Sequence, residues 1–81
     1  MSRLFYNKYR IILSMEIFAE RLKELREDKN LSIQALSREL KISASSIWRW
    51  ENGDSDIKAS QLKLLAQYFK VSTDYLLGLE N

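Results

Sequence analysis

Nucleophilic and metal chemistry need side chains that this sequence lacks. Its 81 residues include no histidine and no cysteine, so no Ser–His pair, thiolate nucleophile or imidazole metal set can form. Carboxylates are present, but they fall at helical spacing among lysines and arginines, as on a solvated surface. No catalysis is expected and no cofactor is implied. The chemistry that remains is recognition, and it is concentrated in Ser43-Ala44-Ser45-Ser46-Ile47-Trp48-Arg49-Trp50-Glu51-Asn52-Gly53. Hydroxyls at a helix start suit an anion such as phosphate. An arginine fork suits a pair of planar acceptors.

Trp48 and Trp50 cannot share a face, because a helix turns about 100° per residue. Ile47 and Trp50 are three apart and continue the inward set of Leu36, Leu40 and Ile42. Ser45 then lies near the centre of the opposite face, flanked by Ala44, Trp48 and Arg49. The spacing predicts Trp50 as the core anchor and Trp48 as exposed.

The elements that hold this stretch follow from composition and periodicity. With 46% hydrophobic residues, no proline and only two glycines, the chain favours helices packed in one small domain. No apolar run approaches the roughly 20 residues that span a bilayer, so a soluble, cytoplasmic protein is expected. The net charge of +2 is unevenly spread. Arg3, Lys8 and Arg10 lie in residues 1–14, which carry no acid, while residues 15–81 hold 10 basic and 11 acidic groups. Bulk charge is therefore weak support for a nucleic-acid partner, and local placement must carry that case.

Residues 1–14, MSRLFYNKYRIILS, are aromatic, basic and β-prone and read as an N-terminal extension to a domain at 15–81. Three readings stay open: a flexible tail, an edge strand pairing with a second copy, or sequence upstream of a start at Met15. From Met15 the apolar period is helical. Phe18, Leu22, Leu25 and Lys29 give a first helix over 15–29. Ser32 is a cap candidate for a second over 32–40, with Ile33, Leu36 and Leu40 inward. Ser43 opens a third over 43–51, which Asn52-Gly53 ends. Leu62, Leu65, Ala66 and Phe69 mark a fourth over 59–69, and Ser72 caps a last short helix carrying Tyr75, Leu76 and Leu77.

Two short helices joined by a few residues make a helix-turn-helix pattern. Together with RLKELREDKNLS before it and LKLLAQYFKVSTDYLLG after it, the stretch SIQALSRELKISASSIWRWENG resembles the phage repressor/Cro-type, or XRE-family, helix-turn-helix domain. The similarity covers residues 16–79, and its most specific pieces are Trp50-Glu51-Asn52-Gly53 and Val71 to Gly78. It implies an all-α, five-helix, lambda-repressor-like fold and a transcriptional regulator, usually a repressor, that binds double-stranded operator DNA as a homodimer. No membrane or small-molecule ligand is implied.

The resemblance also implies roles. The third helix would enter the major groove with its outer face, offering Ala44, Ser45, Trp48 and Arg49 to the bases. Arg49 could make two bonds to a guanine edge, or could pair with phosphate instead. Trp48 could pack on neighbouring side-chain stems, lie along sugars and base methyl groups, or belong to a protein interface. Phosphate contacts carry over to Ser32 and Gln34 at the start of the second helix, to Ser43, Ser46 and Asn52, and to Lys58 before the fourth. Arg26 and Glu51 match a structural ion pair. The dimer contact would lie around Tyr75 to Leu79.

The sequence departs from the family pattern in three places. Ile33 stands where a glutamine usually reaches phosphate, Lys41 stands where the turn usually has glycine, and the usually basic loop after Gly53 reads Asp54-Ser55-Asp56. These keep a second expectation open, in which the same fold is a protein-interaction module using Trp48 and Ile33.

Overall fold

The computed structural model describes residues 3–54 and 56–80, with side chains described from Met15 onward. Five helices follow one another: α1 Arg3–Asp28, α2 Ile33–Leu40, α3 Ala44–Glu51, α4 Ala59–Phe69 and α5 Thr73–Leu76. The all-α class holds, and none of the described residues forms a strand. No helix is long and apolar enough to cross a membrane among the described residues.

The start of α1 corrects one expectation. The extension expected over residues 1–14, as a flexible segment or a dimer-contacting strand, is helical from Arg3 and continuous with the helix expected from residue 15. Residue 15 is therefore not an element boundary. The physical reason is cooperativity: once a helix is nucleated, each further residue adds a hydrogen bond for the ordering of one residue. Neither proline nor glycine interrupts the chain before Gly53, so the β-branched residues alone do not stop propagation. A strand would need a partner edge, which nothing described supplies.

The core is one cluster to which every helix contributes. Phe18 and Leu22 come from α1, Leu36 and Leu40 from α2, Ile47 and Trp50 from α3, Leu65, Ala66 and Phe69 from α4, and Leu76 from α5. Each large side chain buried this way stabilises by roughly 1.5–3 kcal/mol. Lys29 does not continue the α1 stripe. Its ammonium stands 4.8 Å from the centroid of the Tyr68 ring, a cation–π contact at the rim of the core. Arg21, eight residues earlier on α1, makes a corresponding contact, 4.2 Å over Tyr75, and also donates to the Tyr75 carbonyl.

Short helices need defined ends, and here the joints are explicit. Ser32, Ser43 and Ser72 are N-caps whose hydroxyls accept from the backbone N–H three residues on. The α2–α3 turn is closed by Lys41 in the left-handed region at φ 55°. There the Ile42 N–H donates to the Ser37 carbonyl at 3.3 Å. The Ser37 hydroxyl donates in return to the Ile42 carbonyl at 2.5 Å. Lys70 repeats the left-handed ending after α4. A non-glycine residue bears a cost there that glycine does not.

Gly78, at φ +74°, has a different constraint. A Cβ there would come within 2.8 Å of Ile17 Cδ1 and 2.9 Å of Cγ2, and a β-branched neighbour has little freedom to yield.

Two stability measurements check these joints. Lys41→Gly is expected to raise the free energy of unfolding by about 0.5–1 kcal/mol, read as a higher denaturant midpoint at unchanged slope. Gly78→Ala is expected to lower it by at least about 1 kcal/mol. Equal stability of both variants and the parent would contradict the backbone account.

Candidate nucleic-acid interface

The candidate interface is built on α3, and its side chains point where they do because of what the opposite face must bury. Ile47 and Trp50 are 0% and 1% exposed, whereas Trp48 is 57% exposed. Ser45 and Arg49 are exposed as well, and Ala44 is half-buried at the first helical position. The Ser43 hydroxyl accepts from the Ser46 N–H at 3.2 Å and lies 2.7 Å from the Ser46 hydroxyl. The front of the helix thus carries three neighbouring hydroxyls. The Arg49 Nη2 to Ser46 Oγ distance is 3.4 Å, long for a hydrogen bond, so the guanidinium is only loosely held.

The N-terminal turns of α2 and α3 converge on a cleft of ≈ 470 Å³. Ser32, Gln34, Ala44, Ser45 and Trp48 all line it, with Arg26 in its wall. With Ile33, seven of the residues singled out in the sequence are thereby brought together. Ser43, Ser46, Arg49, Asn52 and Lys58 do not line it. The Asn52 side chain donates to the Trp48 carbonyl at 2.8 Å and closes the end of α3. Lys58 is exposed at the start of α4, with its backbone N–H donating to Gln61 Oε1 at 3.0 Å. Asp54 and Asp56 are exposed between them. Ile33, also in the cleft wall, is partly buried rather than fully inward.

Arg26 and Glu51 hold the arrangement together. Nε and Nη2 of Arg26 donate to the two carboxylate oxygens of Glu51 at 2.7 and 2.9 Å, while Nη1 donates to the Leu31 carbonyl at 2.7 Å. The side chains are 11% and 4% exposed. The hydrogen bonds with Glu51 raise the Arg26 pKa, against the opposing effect of burial. Because the folded value is raised, this contribution is complete wherever the unfolded guanidinium is charged. It is lost as pH climbs through the folded value, far into alkali.

Sequence reasoning missed three of these contacts: Ser37 on the turn, Leu31 as an acceptor for Arg26, and Arg21 on Tyr75. Ser37 carried a weak signal as a hydroxyl four residues before the turn. The carbonyl of Leu31 carried none, since every residue has one.

A family model described as a helix-turn-helix domain matches residues 19–81. The chain belongs to this helix-turn-helix family. It is of the XRE type, and it carries the DNA-binding domain of a family of transcription regulators. Among curated proteins, the HTH-type transcriptional activator BcrR of Enterococcus faecalis is 36% identical over 61 residues, covering 75% of this chain and 30% of the relative. The HTH-type transcriptional repressor RghR of Bacillus subtilis is 36% identical over 64 residues, or 78% of this chain and 47% of the relative. The uncharacterized HTH-type transcriptional regulator YobD of the same organism is 32% identical over 63 residues, or 78% and 56%. The chain thus spans between about a third and a little over half of the length of these relatives. No solved structure matches it.

The ion pair predicts a non-additive stability pattern. Arg26→Ala strands a buried carboxylate and is expected to cost about 3–5 kcal/mol. The double variant Arg26→Met with Glu51→Leu is expected to recover most of that loss. Chemical denaturation of the single and double variants checks this, and a double variant as unstable as Arg26→Ala would contradict it.

Proposed function

We propose that this domain is the sequence-specific DNA-reading module of a transcription regulator. On this reading it lays the outer face of α3 in the major groove and acts as a homodimer. The observation that carries the reading is the division of α3: Ile47 and Trp50 are sealed in the core, while Ser45, Trp48 and Arg49 stay open to solvent. A major groove admits a helix, and its base edges differ in donor and acceptor pattern. Ala44, Ser45, Trp48 and Arg49 are the proposed base-facing residues. Ser32, Gln34, Ser43, Ser46, Asn52 and Lys58 are the proposed phosphate contacts, which fix register without reading sequence.

A single domain of this size covers few base pairs. Two copies on a twofold axis would read half-sites about 34–36 Å apart, with the contact between copies around Tyr75 to Leu79. Of the relatives, one is named an activator and another a repressor. Repression is the proposed outcome here, because occupancy of the duplex alone suffices for it. That partner also implies a cytoplasmic setting.

One observation favours a second reading. Ile33 and Trp48 share the cleft between α2 and α3, and Asp54 and Asp56 would repel a nearby phosphate. A protein-interaction module on the same fold would use that apolar pair.

Selection of duplexes from a random pool, followed by a salt titration, separates the two. DNA binding predicts a preferred sequence and an affinity that falls steeply with salt through counterion release. Arg49→Ala is then expected to abolish preference at one base position, a loss of about 1–3 kcal/mol of discrimination. Uniform weakening across all sequences would make Arg49 a phosphate contact. Retention of no duplex above non-specific background would overturn the reading.

A further inference from the structure

The exposed surface of α3 is two rows of different chemistry. Ser45 and Arg49 are four apart, as are Ala44 and Trp48, and residues at that spacing stack along one side of a helix. The first row is polar and the second apolar, and they lie about 100° apart around the axis. The apolar row does not stand alone. Ile33, the first residue of α2, joins Ala44 and Trp48 in the wall of the ≈ 470 Å³ cleft. Ile33 and Ala44 are half-buried, and the indole of Trp48 is 57% exposed above them. The Ser37–Ile42 hydrogen bonds fix the angle between the two helices, so the slot has a set width.

Ile33 gives the slot its meaning. It is half-buried in the cleft wall, and isoleucine offers no hydrogen bond. The cleft therefore has a branched apolar wall beside an indole. The major groove displays one apolar group, the 5-methyl of a pyrimidine. Thymine carries it, and so does methylated cytosine. A protein partner fits less well, because three residues supply far less than the ~800 Å² per side of a standard interface. The row also shares its helix with Arg49, so a duplex engaged by Arg49 lies against Trp48 as well.

We propose that Ile33, Ala44 and Trp48 form a slot that reads a pyrimidine 5-methyl group beside the base read by Arg49. Trp48 and Ile33 then set specificity more than affinity. This inference rests on the DNA-binding reading above. It predicts that a preferred duplex contains one pyrimidine per half-site whose methyl group is required.

The test takes the best duplex from the random selection and replaces each thymine in turn by deoxyuracil, which removes only the methyl. A parallel series places cytosine or 5-methylcytosine at the same positions. At one position per half-site, uracil is expected to weaken binding about fourfold, the worth of one buried methyl-sized group. If the methyl is read whatever ring bears it, 5-methylcytosine binds more tightly than cytosine there.

Trp48→Ala and Ile33→Gln are each expected to bring the thymine-to-uracil ratio close to one at that position. That ratio is taken within one variant, so partial loss of folded protein does not move it. Ile33→Gln should also steepen the salt dependence by about one phosphate contact. A preferred duplex bound equally with thymine or uracil at every position, with no effect of cytosine methylation, overturns the slot and leaves the DNA-binding reading standing. A methyl preference that survives Trp48→Ala and Ile33→Gln likewise overturns it. Failure to select any duplex overturns both.

Discussion

A single guanidinium ties together the three segments that must agree if α3 is to present a face. Arg26 leaves the last turn of α1, grips both oxygens of Glu51 at the last residue of α3, and donates to the Leu31 carbonyl between α1 and α2. Charge-assisted, two-pronged hydrogen bonding has directional demands that apolar packing lacks. The apolar residues decide that α3 packs. The ion pair restricts how it is rotated and how far along its axis it sits. Such a pair can be nearly neutral for net stability, and its value here lies in orientation.

From that fixed end, the rest of α3 follows by rotation about its axis. Trp50 fills the core one residue before Glu51, Ile47 lies one turn earlier on the same side, and the intervening positions are forced outward. Exposure of Trp48 is therefore a geometric consequence of burying Trp50. The serine caps at both helix starts then aim the front ends of α2 and α3 into one cleft. Nothing about this demands unusual backbone except at Asn30, Lys41 and Lys70, where non-glycine residues take positive φ.

Most of this architecture was legible in the sequence, and the reasons are physical. Apolar spacing located α2, α3 and α4 to within a residue, because each is short, amphipathic and bounded by a serine cap or a left-handed residue. The identities of Trp50 as anchor and Trp48 as exposed followed from their spacing alone. Two things were less legible. The β-prone composition of residues 1–14 pointed away from a helix, since propensity is a local quantity and helix propagation from α1 is not. The contacts of Ser37 with Ile42 and of Arg26 with Leu31 depend on backbone carbonyls, which leave no trace in residue type. For the candidate interface, the sequence picked out Ser32, Gln34, Ala44, Ser45 and Trp48, which line one cleft, and Ser43, Ser46, Arg49, Asn52 and Lys58, which do not. It did not mark the half-buried position of Ile33, whose periodicity fits a core residue equally well.

The closed turn between α2 and α3 has a further consequence. With Ser37 and Ile42 bonded in both directions and Lys41 locked in one backbone basin, the two helices form a stiff wedge with no hinge between them. A stiff wedge cannot mould itself to its target. On the proposed reading, any misfit must be absorbed by the duplex, whose readiness to bend or twist depends on its base steps. Pliable steps lying between the touched base pairs would then be favoured without a single atom of the protein reaching them.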